Sequence, residues 1–180
     1  MKRYFDLVLS IILIMGLFIP MVFIAILIKV NSKGPALYWS ERIGKDNVNF
    51  QMPKFRSMIT NTRPIPTHLM KDPEKYLTAF GRFIRKTSLD ELPQLYSVFI
   101  GDMSFVGPRP ALFNQTDLKR LRTKEGVHKL HPGITGWAQV NGRDELSIED
   151  KVEKDLEYFK KRSFIFDLKI LWLTVIRVFN

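Results

Sequence analysis

Residues 7–28, LVLSIILIMGLFIPMVFIAILI, contain no charged side chain and decide the architecture of this chain. As an α-helix the run would be about 33 Å long, enough to cross a hydrocarbon core of roughly 30 Å. It is too long for a secretory signal, and no small-residue cleavage site follows it. A chain of 180 residues is therefore predicted to comprise this membrane segment and one globular domain.

Two topologies are open for the apolar run. Pro20 lies inside it, where proline removes a backbone hydrogen bond and tends to kink a helix. Basic residues flank both ends, so the bias of cationic loops toward the cytoplasm gives no clear orientation. The flanking cations are Lys2, Arg3, Lys29 and Lys33. The segment either crosses the membrane once or bends at Pro20 and returns to the same face.

The composition indicates an anionic partner. Lys and Arg number 28 against 18 Asp and Glu, a formal net charge of +10. Such a balance suits nucleic acid, acidic lipid headgroups or nucleotide phosphates. The absence of cysteine excludes disulfides, thiolate metal sites and a cysteine nucleophile.

The hydrophobic pattern predicts an α+β, mostly helical fold without the strand–helix alternation of a doubly wound sheet. The C-terminal helix fits either the membrane interface or a protein core. The predicted strands are 36–39 and 50–58, a loop covers 60–73, and the predicted helices are 74–86, 90–99, 112–124, Ile148–Lys161 capped by Ser147, and Phe164–Phe179. Residues 101–110 are predicted as a loop and 131–142 as extended.

Asp90 and Glu91 are adjacent acids within the sequence SLDELPQ, residues 88–94. One interpretation is a capping box in which Ser88 and Glu91 open a helix. The other places Pro93 in the first helical turn and both acids at its N-terminus, where phosphate binds well. An ionised aspartate there can attack phosphorus, and the glutamate can hold Mg²⁺.

Two cationic segments are candidates for phosphate binding. Lys54 and Arg56 alternate in PKFRSM and would share one face of a strand, although an edge strand with protective cations fits equally well. Two prolines in GPRP fix the backbone around Arg109, which pre-organises its guanidinium for phosphate or simply makes a rigid loop.

The sequence PGITGWAQVNGR, residues 132–143, combines glycines with amide side chains. The glycines can let backbone N–H groups approach a nucleotide, and the alternative is a turn-rich hairpin. The three histidines are scattered and predict no zinc site.

Taken together and in this order, these segments resemble the bacterial sugar transferase family, the small monotopic phosphoglycosyl transferases. The resemblance covers nearly the whole chain. It rests on KRYFD, the proline within the apolar run, KFRSM, RKTSLDELPQL, GDMSFVGPRP and PGITGWAQVNGR.

The resemblance implies an enzyme that transfers a sugar-1-phosphate from a UDP-sugar to undecaprenyl phosphate and releases UMP. It implies that Asp90 is the nucleophile of a covalent phosphosugar intermediate and that Glu91 helps to position Mg²⁺. It also implies a set of residues near the substrate phosphates or nucleotide: Lys54, Arg85, Arg109, Gln139, Asn141 and Arg143.

The same resemblance implies a monotopic protein of the bacterial inner membrane with its active site on the cytoplasmic face. Residues 1–31 would form a re-entrant helix broken near Pro20, and residues 32–180 the catalytic domain with interfacial amphipathic helices. The expected partners are the UDP-sugar, undecaprenyl phosphate and membrane lipids, and not nucleic acid.

Two other functions fit part of the pattern. A membrane-tethered binding protein for anionic lipid or nucleic acid would explain the net charge, and its binding would fall steeply with salt. A single-span adaptor would place the two chain ends on opposite sides of the membrane, whereas the transferase would have both on one side.

Overall fold

A computed structural model describes residues 1–60, 62, 72–142 and 145–179 of the chain. Its α-helices are α1 Lys2–Asn31, α2 Ala79–Lys86, α3 Gln94–Ile100, α4 Thr116–Lys124, α5 Trp137–Val140, α6 Ile148–Lys161 and α7 Phe164–Phe179. Its strands are β1 Leu37–Ile43, β2 Asn49–Phe55, β3 Ser104–Val106 and β4 Gly133–Thr135. The predicted mixed, mostly helical class is confirmed.

Two small sheets organise the domain. β1 and β2 form an antiparallel hairpin in which Tyr38 lies opposite Lys54. β3 and β4 pair in parallel, with Ser104 opposite Gly133. The prediction of a plain loop over 101–110 was wrong, because three buried residues are too short a run for a hydrophobic period to reveal a strand.

Helix α1 is attached to the domain at its N-terminal end. Arg3 donates to the carbonyls of Val98 and Phe99 over 2.6 and 2.7 Å, where α3 ends and its last carbonyls lack helical partners. The Asp6 carboxylate, which is buried, accepts from the backbone N–H of Phe105 over 3.2 Å. The start of α1 is therefore held by charged side chains as well as by packing.

The C-terminal end of α1 is held to the same domain by Arg56. The buried guanidinium donates to the carbonyl of Lys33 and, over 2.9 Å, to that of Ser32. Gly34 has φ +117°, and a Cβ there would collide with the guanidinium, so glycine is needed at this turn. Lys54 and Arg56 were predicted to share one strand face, but they have different partners. Lys54 donates to Glu91, whereas Arg56 holds the end of α1.

Between its two ends α1 has one packed face and one exposed face. Leu9, Leu13 and Leu17 pack against the main core around Val98 and Ile170. The opposite face is exposed along most of its length; it includes Tyr4, Val8, Ile12, Met15, Phe18, Ile19, Val22, Phe23, Ile26 and Val30. Within the described residues α1 is the one helix whose length and composition would let it cross a membrane. The chain is helical on both sides of Pro20, and the re-entrant bend stays a prediction.

Several predicted helix boundaries were wrong. The helix expected over 74–86 begins only at Ala79, after Thr78 accepts from the N–H of Gly81, and Leu77 instead bridges to Met58. The helix expected over 112–124 begins at Thr116 because the Gln115 side chain accepts from the N–H of Leu112. The cap of α6 by Ser147 is confirmed, with a 3.0 Å bond from the N–H of Asp150.

Helix α7 has the predicted bounds and fits both of its predicted roles. Its inner face buries Ile170 completely, together with Asp167, which accepts hydrogen bonds of 2.6 Å from Lys2 and Tyr158. Its outer face exposes large apolar side chains, among them Ile165, Leu168, Trp172 and Val175. The helix is thus packed on one side and amphipathic in the sense that the interface prediction requires.

Candidate active site

Asp90 and Glu91 lie in a single 3₁₀ turn, Leu89–Glu91, between α2 and α3. Ser88 precedes them with φ 57° and caps nothing with its side chain, so the capping box is not formed. Pro93 has φ −62° and directly precedes α3, where its missing N–H costs no helical bond. The acids are consequently free to serve other partners.

Glu91 is held between two cations. Its Oε1 accepts from Lys54 Nζ at 2.8 Å and from Arg109 Nη2 at 3.0 Å. Burial alone would raise the pKa of Glu91, but the charges and hydrogen bonds of Arg109 and Lys54 outweigh it and hold that pKa well below its usual range. Glu91 is therefore a permanently charged group at working pH.

Asp90 has the opposite environment. It is 8% exposed, and burial raises its pKa above the ordinary aspartate value. Lys54 and Arg85 oppose that rise, while the negative charge of Glu91 adds to it. Two neighbouring carboxyl groups whose pKa values are driven apart are the pattern of a site that gives them separate roles.

Strand β2 delivers Lys54 from the hairpin. Its neighbours Pro53 and Phe55 are buried, so the strand is fixed on both sides of the lysine. Burial lowers the pKa of Lys54, and the charge and hydrogen bond of Glu91 counteract this. The ammonium is placed to neutralise either acid or an incoming phosphate.

The glycines around Arg109 act through close contact between two chain segments. A Cβ on Gly107 would meet the backbone of His131 and Gly133, and one on Gly136 would meet the carbonyl of Gly107. The N–H of Gly107 donates to the carbonyl of Thr135 over 2.9 Å. In the structure these glycines bring the GPRP loop against β4, which fixes the backbone that carries Arg109.

Two further arginines hold the carbonyls of this loop. Arg122 donates to the carbonyl of Arg109 over 2.8 Å, and Asp155 in turn accepts from Arg122 over 2.6 and 2.9 Å. Arg42 donates to the carbonyl of Pro110 over 3.2 Å. The backbone position of Arg109 thus depends on the buried ion pair between Arg122 and Asp155, neither of which contacts the acidic pair in the described contacts.

Two residues near the acidic pair, Arg42 and Gln94, were not predicted as site residues from the sequence. Burial, followed by the charge of Arg109, lowers the pKa of Arg42 to about 10, so this arginine belongs to the cation cluster around Glu91. Only its place on the polar face of β1, two residues after Ser40, hinted at it. Gln94 is 2% exposed, one turn after Asp90, and its Nε2 has no hydrogen-bond partner within the described part of the chain.

The predicted site residues divide into three groups. Lys54, Glu91 and Arg109 are in direct contact, and Asp90 with Arg85 belongs electrostatically to the same cluster. The contacts described for the two amides are to nearby backbone: Gln139 donates to the carbonyl of Ile134 and Asn141 to that of Trp137. Arg143 lies outside the described residues.

The donor set suits Mg²⁺. The ion usually takes one or two protein carboxylates and completes its shell with water and substrate phosphates. Asp90 and Glu91 supply two adjacent carboxyl groups, both contacts described for Glu91 are made to Oε1, and the described residues contain no cluster of three or more acidic or histidine ligands. Any ion here would therefore depend on a substrate diphosphate for further ligands.

Comparison with known proteins decides the family. The family model for bacterial sugar transferases matches residues 1–180. This chain belongs to the bacterial sugar transferase family. The predicted membership and enzyme class are thereby confirmed.

The relatives carry different sugar names. The chain is 42% identical to the uncharacterized sugar transferase EpsL of Bacillus subtilis (strain 168), over 99% of this chain and 87% of that protein. It is 40% identical to the UDP-glucose:undecaprenyl-phosphate glucose-1-phosphate transferase of Escherichia coli (strain K12), over 99% of this chain but 40% of that protein. It is 38% identical to an Aeromonas hydrophila enzyme named for UDP-N-acetylgalactosamine and undecaprenyl phosphate, over 97% of this chain and 42% of that protein.

Proposed function

We propose that this sugar transferase moves a sugar-1-phosphate from a UDP-sugar to undecaprenyl phosphate and releases UMP. The observation that carries the proposal is the pair Asp90 and Glu91, in which one carboxylate is neutralised by Lys54 and Arg109 and the other is buried beside them. The names of the relatives, which include undecaprenyl-phosphate transferases for glucose and N-acetylgalactosamine, support the substrate classes.

The reaction takes two displacements at phosphorus. In the first, an Asp90 oxygen attacks the sugar-bearing phosphorus; the new bond joins Asp90 to that phosphorus, and the bond to UMP breaks with its electron pair on UMP. In the second, a phosphate oxygen of undecaprenyl phosphate attacks the same phosphorus, and the bond to Asp90 breaks. The product is a polyprenyl diphosphate sugar, and Asp90 is regenerated as a carboxylate.

The cations around the pair stabilise the charge that moves. Lys54 and Arg109 lie within 3.0 Å of Glu91 and are placed to meet the leaving phosphate as the charge on UMP grows. Arg85 acts on Asp90. A bound Mg²⁺, held by Glu91 with Asp90 nearby, would neutralise diphosphate oxygens in the same region.

We place the active site on the cytoplasmic face of the bacterial inner membrane, with α1 entering and leaving from that side. A straight helix of 30 residues is about 45 Å long. If α1 spanned the membrane, its two ends would lie on opposite sides of a hydrocarbon core of roughly 30 Å. Here Arg3 attaches one end and Arg56 the other to the same domain. Both contacts favour a single-face topology over a span.

The experiment that tests the chemistry uses the full chain in nanodiscs with undecaprenyl phosphate, a panel of UDP-sugars and Mg²⁺. We expect UMP release with at least one donor, complete loss in Asp90→Asn, and a phosphosugar adduct on the peptide that contains Asp90. An adduct on another residue in an active preparation would refute the assignment of the nucleophile. A lipid-binding protein would instead be indifferent to Asp90→Asn.

Cysteine labelling tests the topology. Single cysteines placed at Met1 and at Ser32 should react with a membrane-impermeant reagent from the same side of sealed vesicles. Labelling from opposite sides would refute the single-face arrangement and leave the proposed reaction untouched.

A further inference from the structure

Gln94, the first residue of α3, has a buried hydrogen-bond donor without a partner. The residue is 2% exposed, and no group within the described part of the chain accepts a hydrogen bond from its Nε2. A buried donor without an acceptor raises the free energy of the folded state, so native proteins keep few of them without a reason. An acceptor that becomes available during the reaction would supply that reason.

The backbone places Gln94 beside the acidic pair. Leu92 and Pro93 have right-handed helical dihedral angles, so the chain continues from the 3₁₀ turn of the acids into α3 without a break. Residues three and four apart are neighbours on one side of a helix, and long helical side chains lean back toward the N-terminus. Glu91 and Asp90 stand in those two positions relative to Gln94. The amide therefore reaches back toward the two carboxylates.

Of the two acids, Asp90 is the one that lacks a side-chain donor. Glu91 accepts from both Lys54 and Arg109. The Asp90 carboxylate is buried, and no side chain among the described residues donates a hydrogen bond to it. A buried donor without an acceptor thus lies one helical turn from a buried acceptor without a side-chain donor.

We infer that Gln94 is a positioning residue whose Nε2 donates a hydrogen bond, during turnover, to the Asp90 oxygen that is not bonded to phosphorus. The inference rests on the proposed function. Hydrogen bonds at active sites are often absent or long in the free protein and tighten in the substrate complex. When undecaprenyl phosphate displaces Asp90, the electron pair of the breaking bond returns to the carboxylate. A donor at its other oxygen stabilises that charge, and burial strengthens the effect.

Gln94→Met removes the donor and keeps a side chain of similar length. With the full chain in nanodiscs, we expect kcat/KM for undecaprenyl phosphate to fall about 10²-fold, the loss typical of one donor at a developing charge. The kcat/KM for the UDP-sugar reports the first displacement, in which Asp90 attacks, and should change much less. The phosphosugar adduct on Asp90 should therefore accumulate during steady turnover. A loss confined to the UDP-sugar value would place the amide on Glu91 and overturn the inference.

Two further variants test whether the effect belongs to this donor. Ser97 is also buried on α3, and its Oγ has no partner among the described residues. It lies seven residues after Asp90, about two helical turns away, so Ser97→Ala is a matched control and should keep both kcat/KM values. Gln94→Glu keeps the length of the side chain but has no donor once ionised, and should show the same selective loss. Equal losses in Ser97→Ala and Gln94→Met, or full activity of Gln94→Glu, would overturn the inference.

Thermal unfolding without substrates distinguishes this role from a structural one. Gln94→Met should keep or raise the melting temperature, because it removes a donor that has no partner within the described residues of the free protein. A fall of several degrees, with equal losses in both kcat/KM values, would show that the amide supports the fold and would overturn the inference. Absence of UMP release from the unmodified chain would refute the proposed function and the inference with it. Release by the unmodified chain without a selective loss in Gln94→Met would refute the inference alone.

Discussion

Asp155→Asn is expected to destabilise the folded domain by about 3 kcal/mol. Asp155 is 1% exposed and accepts two bonds from Arg122, and removing one partner of a buried ion pair costs about 3–5 kcal/mol. Asparagine keeps an oxygen that can accept one of these bonds, which places the loss at the lower end. At about 2–4 °C per kcal/mol for a chain of this size, the melting temperature should fall by about 6–12 °C.

The cost arises from the guanidinium that is left behind. Burial raises the pKa of Asp155 although Arg122 opposes the rise, so the pair is not in itself a source of stability. The matched control is Glu74→Gln, which removes the acid from an exposed pair with Arg82 of 3.0 Å and should cost less than about 1 kcal/mol. Thermal unfolding in one detergent compares both variants. Equal melting temperatures would contradict the argument from burial.

A double replacement separates stability from activity. Arg122→Met with Asp155→Leu removes both charges and should recover most of the lost stability, because apolar side chains of similar volume tolerate such a site. The carbonyl of Arg109 nevertheless loses the Arg122 donor at 2.8 Å, so we expect UMP release by the double variant to remain below that of the unmodified chain. Normal turnover in a stable double variant would refute the view that Arg122 positions Arg109.

Three further changes test the site and its anchor. Asp90→Asn should abolish UMP release and raise the melting temperature by a few degrees at neutral pH. Burial raises the pKa of Asp90, so above that pKa the ionised carboxylate destabilises the folded state, and asparagine removes this cost. A fall in melting temperature would contradict this. In the residual activity of Glu91→Gln, the acidic limb of kcat/KM against pH should move to lower pH, since loss of the neighbouring negative charge lowers the pKa of Asp90; an unmoved limb would show that another group sets it. Arg56→Lys should make the chain near Ser32 sensitive to protease, because one ammonium cannot reproduce the guanidinium fork, whereas Arg120→Lys at an exposed position should not.

The parts of the site that the sequence predicted are those marked by short, unusual combinations of residues. The adjacent acids, the lysine of KFRSM and the arginine between two prolines converge in space, as Lys54, Glu91 and Arg109 show. The capping box is not formed: Ser88 has a positive φ and makes no cap, and the Glu91 side chain accepts from two cations that are distant in the sequence, which no pattern confined to one helix contains. The same limit hid Arg42, whose role depends on a loop 68 residues away in the chain.

The fold was predictable where the periodic signal was long. Helices α6 and α7 have their predicted bounds, since each shows several turns of amphipathic pattern. Strand β3 is three residues long and is fixed by contacts with a distant segment, so neither propensity nor period could reveal it. Strand β4 lies inside the stretch 131–142 that was predicted as extended, but the rest of that prediction was wrong because Trp137–Val140 is a short helix. The glycines of residues 132–143 were predicted to let backbone N–H groups approach a nucleotide, and that stays a prediction; the close approach that the structure shows is of Gly133 and Gly136 to Gly107 of the same chain.

The segment Lys54–Phe55–Arg56 links α1 to the acidic pair within three residues. Lys54 binds Glu91, Phe55 packs against Ile24 and Ile28 of α1, and Arg56 holds the end of that helix. Consecutive Cα atoms are 3.8 Å apart, so the distance along the chain between Arg56 and Lys54 is nearly fixed. A shift of the end of α1 relative to the domain would therefore also move the Lys54 ammonium. Such a rigid link would fix the height of the acidic pair relative to the exposed apolar face of α1, and with it the depth at which a lipid-borne phosphate can be reached.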